Sequence, residues 1–201
     1  MKIIFATGNK GKLREAAEVL GPDYEIVSPA SLGITEDIPE TGSTLQENSL
    51  QKAQYLFERT GLPCFADDTG LEVDALGGAP GIYSARYAGP GHDHEKNMDK
   101  LLAELEIRRL GSANDDMSRR ARFKTVVTLI LADGQPRFFE GCCEGSIATE
   151  KRGTGGFGYD PVFLPDAYPG RTLAEVSEEE KNAVSHRGRA IRAMADWLKS
   201  L

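Results

Sequence analysis

Residues 1–22, MKIIFATGNKGKLREAAEVLGP, predict the first strand, loop and helix of the chain. The apolar run from Lys2 to Ala6 predicts a buried β-strand, and residues 7–11 predict the loop that follows it. Beyond the loop, apolar residues recur at helical spacing, at Leu13, Ala16, Ala17 and Leu20. Gly21-Pro22 predicts the end of this helix, because proline cannot continue it. A strand that leads through a tight loop into a helix is a building unit of α/β folds.

The chain up to residue 81 continues this alternation. The predicted elements are a strand over residues 24–27, a helix from a capping box at Thr44 and Glu47 to about Arg59, a strand over 62–66 that ends at Asp67-Asp68, and a half-exposed strand at Leu71 and Val73. The glycine-rich stretch Gly77-Gly78-Ala79-Pro80-Gly81 predicts a loop after them. The first part of the chain therefore follows the order β-α-β-α-β.

The second half contains a long hairpin between two helical regions. We predict a charged amphipathic helix from Asp93 to about Ile107 and a helical region from Ser177 to Leu201. Residues 122–131 and 137–147 are strand candidates, and Asp133-Gly134 between them predicts a hairpin turn. The whole order predicts an α/β fold with a mixed sheet that contains long strands, in two lobes around a central cleft.

The composition suits one globular domain over residues 1–201. Lys and Arg number 24 against 31 Asp and Glu, which gives a net charge of −7. This acidic balance argues against a general DNA or RNA binder, because neutralising a phosphate backbone needs a basic surface. The longest apolar stretch, residues 126–132, is far shorter than the about 20 residues of a membrane-spanning helix. We therefore expect a small-molecule partner, no nucleic acid and no membrane.

The cysteines and the amino terminus predict a cytoplasmic enzyme. Cys64, Cys142 and Cys143 make an odd count, and no Cys-x-x-Cys or Cys/His ligand spacing occurs. We therefore expect reduced, buried thiols and no structural zinc. The apolar run at the amino terminus meets glycine and lysine too early for a signal peptide.

The loop from Ala6 to Lys12 is a candidate phosphate site. Amide groups at the positive end of a helix bind phosphate, and residues 1–14 carry four basic residues and no acid. The spacing approaches that of a Walker A loop, but Leu13 stands where that loop needs Ser or Thr to ligate Mg²⁺. On this local pattern, the segment is either a phosphate site or a plain turn from strand to helix.

Acidic residues gather in the middle of the chain. Residues 34–80 hold nine acids and two bases, a net charge of 2 − 9 = −7 that equals the charge of the whole chain. Within this segment, Glu40 precedes Thr41-Gly42, and Asp67-Asp68 ends an apolar strand. Buried carboxylates need a cation or donors, and oxygen ligands suit Mg²⁺. Either one aspartate of the pair faces a cleft as metal ligand and acceptor of a water proton, or the pair caps a turn.

A glycine-rich loop and a basic carboxy-terminal motif form the third candidate region. The loop from Gly153 to Pro161 contains Phe157 and Tyr159, whose aromatic faces can stack on a base. Lys181 and the motif Ser185-His186-Arg187-Gly188 supply three donors for a keto oxygen. The alternatives are a tight turn for the loop and a solvated helix face for the basic residues.

Six motifs occur in one order along the chain. They are Thr7-Gly8-Asn9-x-Gly11-Lys12, Glu40-Thr41-Gly42, Asp67-Asp68-x-Gly70-Leu71, Gly77-Gly78-Ala79-Pro80-Gly81, Gly153 to Pro161 and Ser185-His186-Arg187-Gly188. With them the sequence closely resembles the inosine triphosphate pyrophosphatase family, from about residue 2 to residue 198. The resemblance implies an elongated homodimer with its site in the cleft between two lobes. It also implies Mg²⁺-dependent hydrolysis of the unusual purine nucleotides ITP, dITP and XTP to the monophosphate and pyrophosphate, which removes them from the nucleotide pool.

The resemblance implies roles for individual residues as well. The triphosphate contacts are Thr7, Gly8, Asn9, Lys10, Gly11 and Lys12, with Asn9 and Lys10 the strongest, and Lys52 adds a further phosphate contact. The metal ligands are Glu40 and Asp68, of which Asp68 is also the proton acceptor. Thr69 lies beside the substrate, and the base-recognition set is Phe157, Gly158, Tyr159, Asp160, Lys181, His186 and Arg187.

These implied roles give a mechanism without a covalent nucleophile. Asp68 assists the attack of water, while Mg²⁺ and Lys10 neutralise charge as pyrophosphate leaves. Lys181, His186 and Arg187 donate to a 6-keto purine. Because the 6-amino group of adenine leaves such donors unpaired, we expect ATP to be a poor substrate.

Two other functions stand beside this assignment. One is a Maf-type nucleotide pyrophosphatase with another base preference, which the Gly-Gly-Phe-Gly-Tyr-Asp and Ser-His-Arg motifs disfavour. The other is a nucleotide-binding regulator without catalysis, which has no need of the Glu40 and Asp68 pair. The sequence also departs from the family in two places: Asn48-Ser49 replaces Asn-Ala on a helix flank, and the connection from Arg109 to Arg119 looks longer.

Overall fold

The computed structural model describes residues 1–111 and 118–201, in which strands and helices alternate. The strands are β1 (Lys2–Phe5), β2 (Glu25–Val27), β3 (Cys64–Val73), β4 (Pro80–Gly81), β5 (Arg120–Ile130), β6 (Pro136–Ile147) and β7 (Phe163–Pro165). The helices are α1 (Lys10–Leu20), α2 (Leu45–Thr60), α3 (His94–Leu110), α4 (Glu178–Val184) and α5 (His186–Lys199). None of the helices in these two ranges is long and apolar enough to cross a membrane. Most of the connection from Arg109 to Arg119, which the sequence leads us to expect to be longer than in the family, lies outside the described residues.

The strands of the described ranges form one mixed sheet. Its order is β2-β1-β3-β5-β6-β7, with β4 paired to β3. Strand β1 runs parallel to β2 and β3, whereas β4 is antiparallel to β3 and β7 is antiparallel to β6. The predicted α/β fold with a mixed sheet and long strands is therefore confirmed. The predicted hairpin is confirmed as well, because β5 and β6 are neighbours joined by the turn at residues 131–135.

The described chain forms two compact units. The first holds residues 1–68, 125–141 and 186–201, and the second holds the described parts of 69–124 and 142–185. The long strands β3, β5 and β6 contribute residues to both units, since each strand crosses a boundary between these ranges.

In the first unit, the sheet separates two apolar cores, because successive residues of a strand point to opposite faces. Phe5 and Phe65 lie on one face together with apolar residues of α1 and α5, and their rings stack with centroids 4.2 Å apart. Ile4 and Ala66, the neighbours of these phenylalanines along β1 and β3, lie on the other face with apolar residues of α2. The unit is thus a sheet with α1 and α5 on one side and α2 on the other.

The second unit has a core of its own around α3. Buried residues of this helix are Met98, Leu101 and Leu105, which pack with Leu71 and Val73 of β3 and with Phe163 of β7. The spacing of the three helix residues is that of one helix face, so the predicted amphipathic helix is confirmed.

Strand β3 differs from its prediction. The sequence predicts one strand that ends at Asp67-Asp68 and another at Leu71 and Val73, but the structure has a single strand from Cys64 to Val73. The prediction that the aspartates end a strand is wrong, because side chains of neighbouring helices satisfy them inside the sheet. The prediction of a loop over residues 77–81 is also wrong at its end, because Pro80 and Gly81 form β4, which pairs with β3.

The helix ends agree with the sequence in part. The Thr44 hydroxyl accepts from the amide of Glu47 at 3.1 Å, as in a capping box. The Glu47 carboxylate, however, accepts from the amide and hydroxyl of Ser43 at 2.6 and 2.8 Å, one residue earlier than the box requires. Ser177 and Glu180 form the complete box at α4. The predicted carboxy-terminal helical region is divided into α4 and α5.

We predict that Gly141→Ala destabilises the protein by about 1–3 kcal/mol. A Cβ atom at this position of β6 would overlap the carbonyl of His186 and lie 2.6 Å from the amide nitrogen of Ala190, which are both backbone atoms of α5. Urea denaturation measures the free energy of unfolding. The control is Gly91→Ala, because a Cβ atom there meets nothing within 4 Å and the change is expected to stay within about 0.5 kcal/mol. Equal stabilities of the two variants would contradict the prediction.

Candidate active site

Asp67 and Asp68 lie inside β3, and the alternation of the strand sends their side chains to opposite faces. Asp67 follows Phe65 onto the face of α1 and α5, and its cations come from these helices. Asp68 follows Ala66 onto the face of α2, whose Lys52 contacts it. The two neighbouring carboxylates therefore belong to two different side-chain clusters.

Asp67 is a buried carboxylate held by two cations. Its oxygens accept from Nζ of Lys12 at 3.0 and 2.8 Å, and Oδ2 also accepts from Nε of Arg187 at 2.9 Å. Glu15 Oε2 lies 3.5 Å from Nη1 of the same arginine. Burial raises the pKa of Asp67, but the charges of Lys12, Arg187 and Lys52 outweigh burial and hold this pKa well below its usual range. Asp67 is therefore ionised at neutral pH.

The start of α1 lies in the candidate phosphate loop. Asn9 caps the helix, since its Oδ1 accepts from the amides of Gly11 and Lys12 at 2.8 and 3.3 Å. Thr7 supports this cap, because its hydroxyl accepts from the amide of Asn9 at 3.1 Å. The first turn of α1 carries no acidic residue, and its first residue, Lys10, is exposed. A helix amino terminus with lysines and no acid favours an anion.

Arg187 lies in the first turn of α5, next to Asp67. Only 8% of the residue is exposed. Burial lowers the pKa of Arg187, but the charges of Asp67 and Glu15 outweigh it and raise this pKa. The resemblance groups this arginine with Lys181 for base recognition, whereas the structure joins Arg187 to Asp67 and joins Lys181 to Asp160.

Asp68 and Glu40 share the ammonium group of Lys52. Nζ of Lys52 lies 2.6 Å from Oε1 of Glu40 and 3.2 Å from Oδ1 of Asp68. Asn48, one turn earlier on α2, donates to Oδ2 of Asp68 at 3.3 Å and accepts from the amide of Gly42 at 2.8 Å. One face of α2 therefore positions both the acid in β3 and the Glu40-Thr41-Gly42 segment.

The electrostatics of this group depend on burial. Burial raises the pKa of Asp68, and Glu40 raises it further, while Lys52 opposes both. For Lys52, burial lowers the pKa, but Asp68, Asp67 and Glu40 outweigh it, so the lysine stays protonated. Two acids and one ammonium group thus form a charged cluster with a net charge of about −1, counting whole charges.

The two acids suit a divalent cation that takes its remaining ligands from water and from a substrate. The part of the chain that the structure describes has no group of three or more His, Cys, Asp or Glu that could hold a metal alone. Mg²⁺, however, commonly takes one or two carboxylates together with waters and substrate phosphates. Oxygens of Glu40 and Asp68 already converge on one cationic group, that of Lys52, so both acids are oriented for a shared cation.

In the second unit, Asp160 organises the glycine-rich loop. Its Oδ2 accepts from the amide of Phe157 at 2.7 Å and from Nζ of Lys181 at 2.5 Å. Gly156 has φ of 73°, and a Cβ atom there would overlap the Asp160 carboxylate, so this turn requires glycine. Nζ of Lys181 also lies 4.4 Å from the ring centroid of Phe157, whose side chain is 60% exposed. The loop therefore presents an aromatic face beside a cation.

Tyr159 differs from the prediction for its loop. The loop sequence predicts that both aromatic rings can stack on a base, but Tyr159 is 5% exposed. Its hydroxyl donates to the carbonyl of Ser84 at 2.8 Å, and the side-chain amide of Asn97 donates to the same oxygen at 3.4 Å. Burial raises the pKa of Tyr159. Tyr159 anchors the loop, while Phe157 is the exposed ring.

The other predicted site residues lie near these groups along the chain. Thr69 directly follows Asp68 in β3 and is half-buried, and His186 is the half-buried first residue of α5. Gly8 is exposed in the phosphate loop, and Gly158 lies between Phe157 and the buried Tyr159.

Sequence reasoning missed two contributors to these clusters. Glu15 lies three residues after Lys12 on α1, and Asn48 lies four residues before Lys52 on α2. Both spacings place side chains on one helix face and are a usable signal. Asn48-Ser49, taken as a helix flank, is buried, and the Ser49 hydroxyl forms a hydrogen bond with that of Thr128 at 2.7 Å. The pairing of Asp67 with Arg187 carries no local signal, because 120 residues separate them.

The chain is thus an α/β protein whose clusters offer lysines suited to a phosphorylated ligand and carboxylates suited to a cation. Comparison with known proteins identifies the family. The sequence profile of the Ham1 family matches residues 3–197, and the chain belongs to this family.

Curated relatives match the sequence, and solved structures match the fold, over nearly the whole length of each chain. The dITP/XTP pyrophosphatase of Porphyromonas gingivalis is 51% identical over 98% of this chain and 97% of its own. The dITP/XTP pyrophosphatase of Christiangramia forsetii is 48% identical over 98% and 99%. Among solved structures, the HAM1 protein of Coxiella burnetii is 39% identical with a TM-score of 0.89, and each chain is covered completely. The Ham1 protein of Staphylococcus aureus is 39% identical with a TM-score of 0.87, over 100% of this chain and 99% of its own.

We predict that Asp68→Asn keeps or raises the stability at pH 7. Burial and Glu40 raise the pKa of Asp68, so the folded protein binds the proton more tightly than the unfolded chain and the ionised form opposes folding. The advantage of the variant is largest above the folded pKa and disappears as the pH falls below the unfolded value of about 4. Urea denaturation between pH 4 and 8, in the presence of a chelator, measures the difference in the free energy of unfolding between the variant and the wild type. A loss of more than about 1 kcal/mol at pH 7 would contradict the prediction.

Proposed function

We propose that this protein hydrolyses the purine nucleotides ITP, dITP and XTP to the nucleoside monophosphate and pyrophosphate, with Mg²⁺ as cofactor. The observation that carries the proposal is the convergence of Glu40 and Asp68 on the single cationic group of Lys52. A regulator that only binds nucleotides has no need of two acids that share one lysine in this way. The substrate class follows from relatives named dITP/XTP pyrophosphatase at 45–51% identity over nearly the whole chain.

In this proposal, Asp68 is the general base. Its carboxylate accepts a proton from the attacking water while the bond between the α- and β-phosphoryl groups breaks and pyrophosphate leaves. When bound by Glu40 and Asp68, Mg²⁺ supplies positive charge next to the phosphates. Lys52, which contacts both acids, donates to a phosphate oxygen of the substrate once Mg²⁺ takes its place beside them. Lys10 and Lys12 contribute further positive charge.

Phosphate binding is assigned to the start of α1 and base recognition to the glycine-rich loop. Thr7, Gly8 and Asn9 shape the turn whose amides and lysines meet the triphosphate, and Thr69 lies beside it. Phe157 stacks on the base, since its ring is exposed, and Lys181 donates to the 6-keto oxygen. His186 and Arg187 complete the set in the proposal, and Gly158, Tyr159 and Asp160 hold the loop in shape.

The remaining assignments concern the setting of the enzyme. We propose that it acts as a homodimer in the cytoplasm. Membership of the Ham1 family supports the dimer. The reduced cysteines, of which Cys64 and Cys143 are buried and Cys142 half-buried, support the cytoplasm. Analytical ultracentrifugation at micromolar concentration tests the dimer, since a sedimentation coefficient of a monomer would contradict it.

Asp68→Asn is expected to lower kcat for dITP by about 10²–10⁴-fold, because the general base is lost. Release of pyrophosphate from dITP in the presence of Mg²⁺ measures turnover, and calorimetric titration with dITP shows that the nucleotide still binds. Asp74→Asn is the matched control, since Asp74 is an exposed carboxylate paired with Arg122 just after β3. Near-normal turnover by the Asp68 variant would exclude the proposed role.

Phe157→Ala is expected to lower kcat/KM for dITP by about 5–150-fold, which corresponds to the about 1–3 kcal/mol of one base–aromatic stack. Because the ring is 60% exposed, the free energy of unfolding is expected to change by less than about 0.5 kcal/mol. Phe138→Ala, at an exposed phenylalanine of β6, is the control and keeps wild-type kinetics. An unchanged kcat/KM in the Phe157 variant would remove the stacking role.

A panel of ITP, XTP, ATP, UTP and GTP with the wild-type protein separates the candidate functions. Hydrolysis of ITP and XTP with ATP as a poor substrate is the expected result. Preference for UTP indicates a Maf-type base preference, and preference for ATP contradicts the donor set. Binding of these nucleotides without release of pyrophosphate indicates a regulator.

A further inference from the structure

We propose that Asp67 is a positioning residue that fixes one cation for the triphosphate, Lys12, and one for the base, Arg187. Asp67 itself touches neither the reacting water nor the metal in this proposal. The inference rests on the proposed function, because Lys12 and Arg187 have their roles only there.

The contacts of Asp67 constrain both cations at once. Lys12 approaches the two oxygens of Asp67 almost symmetrically, at 3.0 and 2.8 Å, which fixes its ammonium group on the axis of the carboxylate. Arg187 uses Nε, at 2.9 Å from Oδ2. Because the guanidinium group is planar and rigid, a bond to Nε also sets the direction of its two terminal nitrogens.

The ion cluster is not needed to hold α1 and α5 on the sheet. These helices already pack through buried apolar residues, Ala16, Leu20, Ala190, Ile191 and Met194, against Phe5 and Phe65. A buried ion pair contributes little net stability compared with apolar side chains of similar volume, because desolvation of the charges offsets their attraction. Only 2% of Asp67 is exposed, so its charge is costly to bury. We therefore infer that Asp67 has a role other than stabilising the fold.

The role follows from the freedom of the two long side chains. Lysine and arginine lose about 1.5–2 kcal/mol of rotamer entropy when they are fixed. If Asp67 fixes them before the substrate arrives, the substrate does not bear this cost, which is how preorganisation increases affinity. One carboxylate in β3 thereby sets the placement of a phosphate contact on α1 and of a base contact on α5.

The test is Asp67→Asn, which keeps the shape and removes the charge. We expect kcat/KM for dITP to fall about 10–100-fold, mainly through a higher KM, because both cations lose their fixed placement. Two readouts separate the two cations. Tripolyphosphate has no base, so its calorimetric Kd reports Lys12 and is expected to rise about tenfold. The ratio of kcat/KM for dITP and dATP reports Arg187 and is expected to fall at least about fivefold.

A merely structural role gives a different pattern. Loss of folded protein lowers kcat equally for both nucleotides and leaves KM, the tripolyphosphate Kd and the substrate ratio unchanged. Thr128→Val is the matched control, because it removes a buried hydrogen bond to Ser49 in the same unit without touching Lys12 or Arg187. If Asp67→Asn behaves like this control, the positioning role is overturned. Tighter binding of tripolyphosphate also overturns it, since Asp67 would then only compete with phosphate for Lys12.

A second variant keeps the proposal testable if Asp67→Asn does not fold. Glu15→Gln removes the charge of the outer partner of Arg187 and leaves Asp67 in place. It is expected to lower the dITP to dATP ratio about twofold or more without a change in the tripolyphosphate Kd. An unchanged ratio overturns the role at Arg187. Failure of the proposed function itself is distinguishable, because wild-type protein would then release no pyrophosphate from dITP, while the tripolyphosphate titration needs no turnover.

Discussion

The alternation of β3 is the constraint on which the site depends. Asp67 and Asp68 are consecutive residues of one strand, so they cannot point to the same face of the sheet. Asp67 is buried and Asp68 half-buried, and the helices on the two faces supply a cation to each. The same alternation buries Phe65 and Ala66 in the two apolar cores. The two-residue alternation of β3 thus places both the apolar residues and the carboxylates of this strand.

Three lysines of the proposed site are each paired with an aspartate. Lys12 contacts Asp67, Lys52 contacts Asp68, and Lys181 contacts Asp160. Such a pair offsets the cost of burying the carboxylate and limits the freedom of the lysine. The lysine of each pair keeps its positive charge, so it can still attract the triphosphate of the proposed substrate. The net charge of −7 is therefore compatible with the proposed triphosphate site. Some of the acids hold the lysines of that site in place, so the local charge matters more than the total.

The sequence predicted most elements and most of the residues in these clusters, for local reasons. Helical spacing located α1 and α3, and the turn at Asp133-Gly134 located the hairpin. The misses have local reasons too. An Asp-Asp pair is typical of a turn, so the pattern indicated the end of a strand where β3 continues. The pattern also does not distinguish Tyr159 from Phe157, because a glycine-rich loop does not reveal which of its rings is anchored.

The amino-acid sequence alone was enough for the α/β class, the position of most elements and the list of candidate residues for phosphate, a cation and a base. These are properties of short segments, since periodicity, turn preference and residue chemistry act over a few positions. Only the tertiary structure decided which charges meet. Asp67 joins Lys12, which is 55 residues before it, to Arg187, which is 120 residues after it. Such pairings depend on how the sheet orders its strands and on which face each helix packs, and no local pattern encodes them.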